Sequence, residues 1–170
     1  MDKPSPKGRT SRNHARGVLS GLGGMRVIKG KVSSRFQIAG PNLKTAEDKI
    51  LARTGLASMA PGTLNVTIDS DYIVRGDVTI EPEEYFTGER LKFQRCRVRG
   101  CRMFIMRPES HEHPAGIGAN VLELVSPMNL RDVWRLRDGD PLEIEVEGDE
   151  QWWNQPEPEL IPVSPSEDAL

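Results

Sequence analysis

The sequence predicts a small, mainly β domain that curls into a closed or nearly closed barrel. Three observations predict it. Hydrophobic residues make up only 36% of the 170 residues, while Gly and Pro number 16 and 13. Such a chain is rich in turns and short of the apolar surface a helix bundle needs. Several short segments alternate apolar and polar residues at period two, the strand period. Those segments number about six or seven, and a sheet of that size hides its edges most simply by closing on itself.

Residues 1–24 are basic, polar and without periodicity, which predicts a disordered tail. The barrel domain is expected over 25–148. "MRVIKGKV" opens it as a strand. "KTAEDKILARTG" reads as a short helix, with Thr45 as its cap, Asp48 three residues on as in a capping box, and Gly55 as its terminator. "TLNVTI" and "DYIV" read as strands, and "LKFQRCRV" and "CRMFIMR" as a hairpin around Arg99-Gly100. "NVLELV" is a further strand. "SPMNLRDVWRL" reads as the second helix, with Ser126 at its cap and Pro127 in its first turn. After the turn "RDGD", the segment "PLEIEVEG" alternates cleanly, with Leu142, Ile144 and Val146 inward and Glu143, Glu145 and Glu147 outward. No internal repeat is visible. Residues 149–170 are acidic and Pro-rich, which predicts an extended tail. Its paired Trp152 and Trp153 either pin the start of that tail to the barrel or form a contact patch for a partner.

Charge and composition narrow the function classes. A net charge of −2 weighs against a polyanion binder, although the basic first segment is either a solvated tail or a point of contact with nucleic acid. Cys96 and Cys101 lack the partners of a zinc site; they form either a disulfide or, as expected inside a cell, a pair of reduced thiols. No apolar run approaches the ~20 residues of a membrane span, and no apolar segment of signal-peptide type follows the basic start. The expectation is a cytoplasmic monomer with no membrane partner.

Four places carry side chains with chemical potential. In "PGTLNV", Thr63 and Asn65 lie two apart on a strand and aim a hydroxyl and an amide oxygen at one small volume. Mg²⁺ prefers such oxygens and completes its shell with waters and substrate phosphates; an ordinary turn leading into a strand reads the same way. Glu123 sits inside an otherwise apolar strand, facing either solvent or a polar pocket. After it, the start of the Ser126 helix and Arg131 offer an anion site, or simply a capped helix with a solvated Arg face. His111 and His113 form an H-x-H pair that is weak as a metal site and reads as well as a polar loop. Arg95, Arg97 and Arg99 run at period two, with Arg102 across the turn; they face phosphates or solvent.

Taken together, "VIKGKV", "PGTLN", "MRPESHEH" and "VLELVSPMNLRDVWRLRDGDPLEIEVEG" resemble the CTP-dependent riboflavin kinase family typical of archaea, over roughly residues 26–148. The resemblance implies a six-stranded Greek-key, cradle-loop β-barrel with two short helices. It implies transfer of the γ-phosphate of CTP to the 5′-hydroxyl of riboflavin, giving FMN and CDP. By motif, Thr63 and Asn65 would hold Mg²⁺, and Glu123 would contact the flavin together with Ser110 or His111, which stand where the family has a Thr. Met128, Asn129, Leu130 and Arg131 would line the nucleotide. Phe36, Gln37, Ile38, Ala39 and Gly40 fall where the family has a Gly-rich loop over the nucleotide, with most of its glycines replaced. That replacement is the feature that favours the alternative, a non-catalytic flavin- or nucleotide-binding barrel acting as a sensor or regulator. A DNA-associated regulator is a third class, against which the net charge and the lack of a helix-turn-helix pattern weigh.

Overall fold

A computed structural model describes residues 24–34, 39–112 and 118–159. The segment 1–23, Phe36, Gln37 and Ile38 of the expected nucleotide loop, His113, and the chain from 160 onward lie outside the described residues. Among the described residues the strands are β1 (Arg26–Ser33), β2 (Leu64–Ile68), β3 (Val78–Ile80), β4 (Leu91–Val98), β5 (Cys101–Pro108), β6 (Val121–Val125) and β7 (Pro141–Val146). Every pairing between them is antiparallel. Around the ring the order is β4-β5-β6-β2-β1-β7, and β7 returns to β4 through Cys96↔Val146 and Arg97↔Glu145. The result is a closed six-stranded barrel. β3 stands outside the ring. It pairs Val78 with Phe93 and Ile80 with Leu91, taking the edge of β4 that β7 leaves open.

Local sequence explains the clearest elements. β4 and β5 join at Val98↔Cys101 through a two-residue turn whose members both have positive φ, Arg99 at 50° and Gly100 at 79°. That is the primed turn whose twist matches a hairpin. In β7 the alternation holds: Leu142, Ile144 and Val146 are buried inside the barrel. Cys96 and Cys101 also lie inside the barrel as free thiols, and burial pushes both thiol pKa values up.

Other elements depart from the expectation. A separate helix, α1 (Ala39–Lys44), comes first, and the helix expected from Lys44 starts only at α2 (Glu47–Thr54). Thr45 does not cap it. Its hydroxyl donates to the Asn42 carbonyl at 2.7 Å, and Ala46 occupies the N-cap without a side-chain bond. Gly55 does end α2, at φ 75°, with its N–H on the Leu51 carbonyl. "DYIV" is no strand. The Tyr72 N–H donates to the Ala119 carbonyl at 2.9 Å, and the Tyr72 carbonyl accepts from Arg107 at 3.0 Å. Those long-range bonds replace a ladder, and the strand forms later, at 78–80.

Apolar side chains collect in two layers. One fills the barrel. The other lies on the outer face of β3–β6, where Phe93, Phe104, Met106 and Val125 are covered by Leu43 of α1, Ile50 of α2 and the two tryptophans of α4 (Glu150–Trp153). The tryptophans pin the segment after 148 to the barrel, each 8% exposed. Gly148 makes room for them, since a Cβ there would stand 2.1 Å from the Trp152 ring. The arginine stripe is not one uniform solvated face: Arg99 is exposed and Arg95 and Arg102 are partly so, but Arg97 is not. Arg97 is buried and donates to the carbonyls of Trp152, Trp153, Gln155, Pro156 and Gly100. Arg95 pairs with Glu150 at 2.5 Å, Arg102 with Glu157 at 3.5 Å, and Arg99 lies over the Trp134 ring.

Candidate functional site

Alternation along β2 builds the centre of the site. Leu64 and Val66 point into the barrel, so Asn65 must point out, and it is only 3% exposed there. Thr63, two residues earlier, shares that face. Its Oγ1 stands 3.4 Å from Asn65 Oδ1, a long contact for two such oxygens. Before them Gly62 turns the chain at φ 81°. These residues open onto a cleft of about 330 Å³, whose far wall is the end of β6 and the segment Met128–Arg131. The walls are tied together, since the Ala60 N–H donates to the Ser126 carbonyl at 2.8 Å.

The far wall differs from the sequence expectation. Ser126 does not cap a helix; its hydroxyl accepts from the Met128 N–H at 3.2 Å and stabilises a turn. The helix α3 is shorter, Leu130–Trp134, and Asn129 caps it by accepting from the Asp132 N–H at 3.3 Å. Arg131 borders the cleft and is its cation; the described lining contains no carboxylate. Arg131 Nη2 donates to the Ser33 carbonyl at 3.0 Å, to Ser34 Oγ at 3.2 Å and to Asp138 Oδ1 at 2.9 Å. The Ser34 hydroxyl and then Arg131 hold the Asp138 carboxyl below its usual range.

Thus the structure gathers Thr63, Asn65, Met128, Asn129, Leu130 and Arg131 around one cleft. Glu123 lies beside it. It pairs with Asn65 across the β2–β6 ladder and with Met106 on β5, so it shares the outer face of the sheet with Asn65. It is 6% exposed, and burial pushes its pKa up to about 7, against the opposing charge of Arg107. The Tyr85 phenol, raised first by burial and then by Glu89 and Glu123, faces the same region. Ser110 and His111 stand apart from the cleft, on the 3-10 turn Glu109–Glu112. The Ser110 N–H donates to Glu89 at 2.7 Å, and burial lowers the His111 pKa. Ala39 and Gly40 open α1. Sequence reasoning missed Ser33, Ser34 and Asp138. "RDGD" reads only as a turn, and no local signal ties it to the end of β1.

The donor set suits a hard cation shared with a substrate. Adjacent oxygens on an octahedral Mg²⁺ at about 2.1 Å lie about 3 Å apart, close to the spacing of the Thr63 and Asn65 oxygens. Among the described residues no cluster of His, Cys, Asp or Glu could form a closed metal cage. The cleft therefore fits an ion held by two neutral oxygens and by phosphates. Among the described residues no helix is long and apolar enough to cross a membrane.

Comparison with known proteins agrees with the geometry. A family model described as a domain of unknown function, DUF120, with the short name CTP-dep_RFKase, matches residues 47–146. The match takes in β2 to β7 and both walls of the cleft, but not β1. A riboflavin kinase of Pyrobaculum arsenaticum is 33% identical over 130 residues, covering 71% of this chain and 58% of that protein. Riboflavin kinases of Methanocella arvoryzae and Archaeoglobus fulgidus are 33% and 36% identical, over 99 and 97 residues. Each of those matches covers 51% of this chain, and 41% and 39% of the respective relatives. This chain thus spans little more than half the length of the first of these relatives. With a family model matching most of the barrel, the chain belongs to the CTP-dependent riboflavin kinase family.

Proposed function

We propose that this protein phosphorylates riboflavin, moving the γ-phosphate of CTP to the 5′-hydroxyl and giving FMN and CDP. The observation that carries the reading is the convergence of Thr63 Oγ1, Asn65 Oδ1 and Arg131 on one cleft whose described lining holds no carboxylate. The hydroxyl oxygen forms its bond to the γ-phosphorus as the bond to the β-bridging oxygen breaks. The hydroxyl proton is released to water, and CDP leaves. Such transfer needs positioning and charge neutralisation more than covalent help. Thr63 and Asn65 would hold Mg²⁺, which when bound neutralises phosphate charge and orients the transferred group. Asn129, Leu130 and Arg131 would bind the nucleotide, with Arg131 supplying charge-assisted bonds to phosphate. Glu123 lies across the ladder from Asn65 and would contact the flavin, with Ser110 or His111 at its rim.

The test is to incubate the protein with riboflavin, Mg²⁺ and each of CTP, ATP, GTP and UTP, and to measure FMN. CTP is expected to be the best donor. Thr63→Val and Asn65→Leu should each lower FMN formation by about 100-fold or more while leaving the fold intact, as expected for loss of a metal ligand. Near wild-type turnover with unchanged Mg²⁺ dependence in both variants would remove the metal assignment. Flavin binding with no FMN from any nucleotide would replace the kinase by a non-catalytic flavin-binding barrel.

A further inference from the structure

Asp138 stands behind Arg131, outside the cleft lining, and joins three separate segments. It accepts from the Ser34 hydroxyl at 2.7 and 2.6 Å, at the end of β1, and from Arg131 Nη2 of α3 at 2.9 Å. It stands itself in the turn that enters β7. Arg131 Nη2 is thereby committed, since the Ser33 carbonyl and Ser34 Oγ share it. Among the described residues Arg131 Nε and Nη1 make no hydrogen bond, and Arg131 borders the cleft. A guanidinium is a rigid planar fork, so fixing one nitrogen fixes the direction of the others.

We propose that Asp138 is a positioning residue, which holds Arg131 so that its remaining donors meet the phosphates of the bound nucleotide. The inference rests on the nucleotide reading of the cleft given above. The exposure of the pair bears on its test. The Arg131 and Asp138 side chains are 32% and 55% exposed, and an ion pair this exposed contributes little to folding. Its loss is therefore read in binding without unfolding the protein. Charge alone predicts the opposite sign to positioning. Removing a carboxylate near a polyphosphate relieves repulsion and tightens binding, whereas releasing Arg131 to many rotamers weakens it.

The experiment titrates the Mg²⁺ complex of CTP into wild type, Asp138→Ala, Arg131→Ala and the double variant by calorimetry, and follows FMN formation beside it. Asp138→Ala should weaken nucleotide affinity by about tenfold, comparable to loss of one good charged contact. The loss should fall on the nucleotide KM more than on kcat, and Asp138→Glu should restore most of it. In the Arg131→Ala background, Asp138→Ala should add nothing further. Unchanged or tighter binding by Asp138→Ala overturns the proposal, as does an equal loss in the Arg131→Ala background. A wild type that binds nucleotide but forms no FMN refutes the kinase reading, and the affinities still decide the role of Asp138. A wild type that binds no nucleotide overturns both.

Discussion

Glu123 is a carboxylate in the middle of a strand whose five residues are all buried. Its place in "VLELV" marks it in the sequence, because an ionised group in an apolar run needs a reason. The sequence leaves solvent and pocket equally open. The structure excludes solvent, and among the described residues the carboxylate has no salt-bridge partner, so burial outweighs the charge of Arg107 and its pKa rises from 4.5 to about 7. Between those values the folded chain keeps a proton that the unfolded chain has released. Stability is therefore complete below the unfolded value and falls as pH rises through about 7, by on the order of 3 kcal/mol. Glu123→Gln removes this titration. Urea unfolding at pH 8 should find the variant more stable than wild type by about 2–3 kcal/mol, and at pH 5 the two should nearly coincide. An equal difference at both pH values would show that Glu123 is ionised in the folded protein throughout. Flavin titration on the same pair should show weaker binding by the variant, the expected mark of a stability sacrifice made for a ligand.

At the scale of elements, what the sequence could show depended on how local the cause was. β7 and the β4–β5 hairpin follow from alternation and a two-residue turn, and both lie where the pattern put them. Thr63 and Asn65 were legible for the same reason, since period two alone sends them to one face. The start of α3 was not legible. Ser-Pro is a strong signal for a cap and a first turn, but Ser126 spends its hydroxyl on Met128, and Asn129 takes the cap three residues later. That shift gives Asn129 two roles, helix cap and cleft wall. The roles separate by substitution. Asn129→Ala should lose about 1 kcal/mol of stability in urea titrations. Asn129→Asp keeps the cap and favours the positive helix start, so stability should hold, but it places a negative charge at the cleft. CTP affinity should then fall about tenfold further for Asp than for Ala. An Asp variant that binds CTP as well as wild type would place Asn129 away from the phosphates.

At the scale of the whole molecule, the composition break at 148 is not a packing break. Acidic, Pro-rich sequence reads as tail because its own composition holds little to bury. Yet its carbonyls are what the Arg97 guanidinium needs, and no window on the sequence joins Arg97 to residues 55 to 59 positions later. The clasp has three parts. Trp152 and Trp153 cover Phe104 and the outer face of β5, Gly148 admits the Trp152 ring, and Asp149 caps α4 by accepting from the Trp152 N–H at 2.8 Å. Burying an aromatic side chain removes about 150–250 Å² from water, worth about 4–6 kcal/mol each as an upper bound. A small domain has only about 5–15 kcal/mol in total. A chain ending after Gly148 would lose both rings and four of the five carbonyl partners of Arg97. It should unfold at least about 10 °C below the full chain, or fail to fold at all. Arg97→Ala in the full chain isolates the polar part. It keeps both tryptophans and strands the carbonyls, and should cost about 2–4 kcal/mol. If the shortened chain melted within about 2 °C of the full one, the outer layer would be closed without the clasp, and the barrel alone would account for the fold's stability.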